Sequence, residues 1–176
     1  FKSLFMVTKD FKKYTFDILY DKPNRYVVSA KFLNLLHQFQ IPLLHTIPLV
    51  VVEHRNHDLR LENQFFYIEI ETISYKEVVD IENSILTFEY EVYIKEITKL
   101  LLKNTLENEL ILIQELRAKN KTPICSEEFK IACEKEKIRG IKFFEIAQTS
   151  WLKGDTMHNY FAKLRGETNV ETLETL

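Results

Sequence analysis

The sequence predicts a single α+β domain: a mostly antiparallel, twisted sheet with two or three helices packed on it. Two stretches, 65–73 and 85–95, alternate apolar and polar residues with the period of half-buried strands. Two others, 29–42 and 126–140, carry apolar residues at helical spacing behind a serine suited to capping. The chain has 176 residues, which fits one domain with or without a small appendage, and 45% of them are hydrophobic with 13 Phe and 8 Tyr, which supplies a real core. The expected boundaries are one domain over 1–166 and a mobile acidic tail over 167–176.

Residues 1–8 read as a strand, and 14–20 as a second candidate. The cluster Asp21-Lys22-Pro23-Asn24 marks a turn. Ser29 then caps a helix whose stripe is Phe32, Leu35, Leu36 and Phe39, and Pro42 stops it. Residues 49–53 are β-branched and apolar, a buried strand, and 54–60 form a polar turn. In 65–73, Phe66, Ile68 and Ile70 share one face, and Tyr67, Glu69 and Glu71 the other. A polar break at 80–84 precedes the cleanest alternation, with Leu86, Phe88, Tyr90, Val92 and Ile94 on the apolar side. Residues 110–116 read as a strand and 119–123 as a turn.

Ser126 caps the next helix, with Glu127 and Glu128 in the first turn, where the helix dipole favours them. Phe129, Ala132 and Cys133 form its stripe, and Gly140 is placed as its left-handed closing residue. A short strand over 141–146 and a last helix over 155–164 complete the expected elements. Phe32, Leu36, Phe88, Tyr90, Val92, Phe129 and Phe143 are the expected core.

Composition excludes several classes. The net charge is −2, with 24 Lys+Arg against 26 Asp+Glu, so wholesale attraction to nucleic acid is not indicated. No apolar run approaches the length of a membrane span. Cys125 and Cys133 are too few for a disulfide framework and suit a reducing cytosol. The first residues lack the apolar core of a signal peptide, so the cytoplasm is the expected location, although the chain begins with Phe.

The search for chemistry finds no motif. His54 and His57, with Asp58, are the nearest approach to a metal cluster, but no second ligand pair has the spacing zinc requires, and a solvated turn is the stronger reading. Cys125 precedes a helix N-terminus, which can activate a thiol, but no base accompanies it. All three glycines, Gly140, Gly154 and Gly166, lie in the last quarter, so phosphate loops and dinucleotide fingerprints are missing. Trp151 reads as a packing or interface residue. No cofactor, metal or catalytic residue is expected.

One constellation stands out. If the strands over 65–73 and 85–95 are neighbours, Glu69, Glu71, Glu89 and Glu91 share a face with Tyr67 and Tyr93. Like charges facing each other across a sheet want a cationic partner. That partner is Lys76 or Lys95 of this chain, or an external basic surface. An ordinary solvated sheet face is the plainer reading.

Several segments resemble a family of bacterial immunity proteins from polymorphic-toxin, contact-dependent and secreted-effector systems. The resemblance runs from about Ser29 to Ile146 and rests on a helix, loop and Pro over 32–42, then Tyr67-Ile68-Glu69-Ile70 leading to Val79-Asp80-Ile81-Glu82-Asn83-Ser84. It closes on Ser126-Glu127-Glu128-Phe129 with Arg139-Gly140-Ile141-Lys142-Phe143-Phe144-Glu145-Ile146. It implies a cytoplasmic binding protein, not an enzyme, that neutralises a cognate toxin. The six residues of the constellation are then the candidate toxin-binding face. Two other classes stay open: an enzyme of unrecognised type, favoured by a polar pocket holding titratable groups, and a nucleic-acid-binding regulator, favoured by a basic face from Lys2, Lys9, Lys12, Lys13 and Lys22.

Overall fold

A computed structural model describes residues 4–8, 15–54, 60–103, 109–116 and 122–146. The turn residues 55–59 with His57 and Asp58, the turn at 119–121, Trp151, the helix expected over 155–164 and the tail lie outside the described residues.

The main sheet has five strands in the order β1-β4-β5-β3-β2. They are β1 (Leu4–Thr8), β2 (Ile18–Lys22), β3 (Arg25–Ser29), β4 (Leu43–Glu53) and β5 (Arg60–Ile70). Only β1 runs parallel to its neighbour, pairing with β4; the other pairings are antiparallel. Two small sheets follow, a hairpin of β6 (Ile85–Glu89) and β7 (Tyr93–Lys99), and a pair of β8 (Leu110–Ile111) and β9 (Ile124–Cys125). The helices are α1 (Ala30–Gln38), α2 (Tyr75–Val78) and α3 (Glu127–Lys135). The architecture is α+β.

Both caps read from the sequence are in place. Ser29 Oγ accepts the Phe32 N–H at 3.2 Å, and Ser126 Oγ accepts the Phe129 N–H at 3.0 Å. The helices end differently from expectation. Each closes with paired C-terminal hydrogen bonds around a left-handed residue, Gln40 (φ 53) after α1 and Lys137 (φ 51) after α3. Gly140 does have positive φ, at 97°, but it lies three residues beyond Lys137 and has another purpose.

One core fills the space between the sheet and the helices. Tyr26 and Val28 of β3 and Ile68 and Ile70 of β5 meet Phe32, Leu33, Leu35 and Leu36 of α1 and Phe129 and Cys133 of α3. A second cluster joins Val78, Val79, Ile94, Ile97, Ile111, Ile113 and Leu116 beneath the β6–β7 hairpin. A third, built from Val27, Leu49, Val51 and Phe65, lies on the side of the sheet away from the helices. Phe129 is fully buried, with its ring against Phe32 and Phe39 at centroid distances of 6.3 and 5.2 Å. Phe129→Ala should therefore cost about 3–5 kcal/mol, measured as a fall in the urea-unfolding free energy, and a loss below about 1 kcal/mol would show that the site collapses around the cavity.

Three expectations are corrected. Residues 85–95 are not one strand but a strand, a turn and the start of another. Phe32, Leu36 and Phe129 are buried and Phe88 and Phe143 half-buried, but Tyr90 is 81% and Val92 54% exposed, because both lie in that turn. Residues 141–146 hold no strand, although Phe143 still packs against the main core.

Candidate functional site

The six candidate residues fall into two groups on different sheets, so the supposed pairing of their strands does not exist. The strand bearing Glu69 is flanked by β3 and β4, and Glu89 pairs with Tyr93 inside its own hairpin.

On β5 the polar groups are already engaged. Glu69 accepts the Asn24 side-chain amide at 3.2 Å and forms an ion pair with Arg25 at 3.1 Å. Its side chain is only 15% exposed. The half-buried Tyr67 donates its hydroxyl to Asp21 at 3.0 Å, and burial together with that carboxylate raises its pKa. Glu71 is exposed just past the strand, its N–H donating to the Pro42 carbonyl at 3.1 Å. For Glu69 the cationic partner is thus Arg25, on the neighbouring strand.

The hairpin group is presented differently. Glu89 ends β6, Glu91 lies in the turn, and Tyr93 opens β7, 49% exposed. Tyr90 and Glu91 both have positive φ, 54° and 57°, and the Val92 N–H donates back to the Glu89 carbonyl at 3.3 Å. Two such residues in succession are the signature of a type I′ turn, normally occupied by Asn-Gly. A non-glycine residue pays about 1–2 kcal/mol for that backbone region, so Tyr-Glu is a costly occupant. Sequence reasoning missed the turn because no Gly, Asn, Asp or Pro marks it, and alternation simply runs across it.

The base beneath this tip is fixed. Leu86 and Phe88 pack on the second cluster, and the Phe88 ring meets Tyr75 at 5.2 Å. The buried Ile94 donates its N–H to the Glu115 carbonyl at 3.0 Å. At the open end, Ser84 Oγ donates to the Leu101 carbonyl at 3.2 Å and accepts the Leu101 N–H at 2.9 Å.

Neither thiol is activated. Burial, with the Glu127 charge adding to it, pushes Cys125 up to about 11, and burial pushes Cys133 up to about 12. Among the described residues, no three His, Cys, Asp or Glu side chains converge to hold a metal ion. Among them, too, no helix is long and apolar enough to cross a membrane.

A family model described as Immunity protein 43 matches residues 2–152. The chain belongs to that family. The match covers every helix and strand of the described residues, and so includes both groups of candidate residues. The resemblance read from residues 29–146 falls within it and extends to the first strand. No curated protein matches the chain.

Proposed function

We propose that this chain neutralises a cognate toxin by tight, stoichiometric binding in the cytoplasm of the cell that makes both. The observation that carries this is membership of the Immunity protein 43 family over most of the chain. Among the candidate contacts, Glu71, Glu91 and Tyr93 are exposed, and Tyr67, Glu69 and Glu89 are half-buried. Tyr67, Glu69, Glu71, Glu89, Glu91 and Tyr93 remain the candidate contacts, now as two separate patches. Acidic groups on such a surface speed association with a basic partner, and a few aromatics carry most of the affinity. The inhibitor acts by covering the toxin's active site or a neighbouring surface.

The test is complex formation with the C-terminal toxin domain encoded beside this chain, in a catalytically inactivated form. The expected result is a 1:1 complex on gel filtration with a dissociation constant of about 10 nM or tighter, and survival of toxin-expressing cells that co-express this chain. No complex and no protection would overturn the reading.

A further inference from the structure

We propose that the β6–β7 hairpin is a plug, and that its tip, Tyr90-Glu91-Val92-Tyr93, enters a Lys/Arg-lined cleft of the toxin. This rests on the chain being a toxin-binding protein and assigns the binding to one surface. Single exposed apolar residues are ordinary, but here three of four consecutive residues are large, apolar and exposed: Tyr90 81%, Val92 54% and Tyr93 49%. They stand at the end of a hairpin, a convex shape that fits a concave partner.

The charge of the tip selects the partner. The tip residues 90–93 contain one acid, the exposed Glu91, and no base. A cationic cleft satisfies both the Glu91 carboxylate and the faces of the tyrosine rings. The β5 group fits the role less well, because Glu69 is already neutralised by Arg25 and little exposed.

The turn is built for display and against its own comfort. Positions that suit Asn-Gly hold a tyrosine and a glutamate, and those two side chains project to solvent. The base is held by the Ile94 and Ser84 hydrogen bonds and the packing of Phe88, so little ordering entropy is lost when the tip binds. An aromatic anchor on a rigid support is the arrangement that yields binding hot spots.

The decisive variant replaces Tyr90→Asn together with Glu91→Gly, which suits the turn and removes the proposed anchors. Its melting temperature should rise, while its dissociation constant for the catalytically inactive toxin domain encoded alongside should weaken by about 30-fold or more. Glu91→Gln should slow association several-fold at low salt, with the difference shrinking at high salt. Glu134→Gln, at an exposed acid of α3 away from both groups of candidate contacts, should bind within about 3-fold of wild type. If the double variant folds poorly, Val92→Ser and Glu91→Gln, both at exposed positions, supply the same comparison. Binding by the hairpin variants within about 3-fold of wild type overturns the plug and leaves toxin binding standing. Absence of a complex with the wild-type chain overturns toxin binding and the plug with it.

Discussion

Gly140→Val should be the most damaging single substitution at a solvent-exposed position of this protein, lowering the unfolding free energy by at least about 3 kcal/mol. A β-carbon built on Gly140 would stand 2.3 Å from the carbonyl oxygen of Ile18, a backbone atom of β2 that cannot swing aside. The residue also has φ 97°, a backbone conformation that L side chains rarely adopt. The close approach is needed because the Arg139 carbonyl accepts the N–H groups of both Asp17 (2.7 Å) and Ile18 (3.2 Å). Glycine therefore lets the chain leaving α3 lie directly on the start of β2. Gly140→Ala, with a single added carbon, separates the close approach from the bulk of valine. It should lose most of the same stability, and an alanine variant within about 0.5 kcal/mol of wild type by urea unfolding would refute the account.

Much of this fold was legible from local chemistry. Ser29 and Ser126 announce helices because a cap hydroxyl and the apolar stripe behind it are both local signals. The alternation of Phe66, Ile68 and Ile70 against Tyr67 and Glu69 is borne out because β5 has one face on the helices and the other on a smaller cluster. What failed depended on distant contacts. β3 escaped notice because Tyr26, Val27 and Val28 are all buried, covered on both faces, so no alternation betrays them. The tip at Tyr90 and Glu91 was hidden because its turn lacks turn residues. Gly140 was correctly given positive φ for the wrong reason: Lys137 already closes α3, and the glycine answers to Ile18, 122 positions earlier in the chain. The candidate contacts were found as residue types and misjudged as a patch, since strand adjacency is a property of topology and not of periodicity.

Asp17→Ala should destabilise the chain by about 3 kcal/mol near neutral pH, through the polar groups it leaves without a partner. Asp17 is the buried acid at the same junction, 4% exposed. Its carboxylate accepts the Ser29 hydroxyl at 2.8 Å and the Arg139 N–H at 2.8 Å, with the Lys31 ammonium at 3.3 Å. Ser29 in turn caps α1, so one side chain ties that cap to β2 and to the segment after α3. Burial alone would raise its pKa, but the Arg139 N–H, the Ser29 hydroxyl and the Lys31 charge outweigh it, and the pKa lies below the ordinary 3.8. The sign of the pH dependence follows. A carboxylate whose folded pKa is depressed contributes stability that is fully present above its unfolded value and is lost as the pH falls through the folded one. Asp17→Asn keeps the size of the side chain and removes the titration. Urea unfolding of wild type and Asp17→Asn from about pH 7 down to about pH 2.5 should show a gap that is constant above about pH 5 and closes steadily below about pH 4. A gap that stays constant to the lowest pH would mean that the lost stability comes from packing around residue 17 and not from its charge.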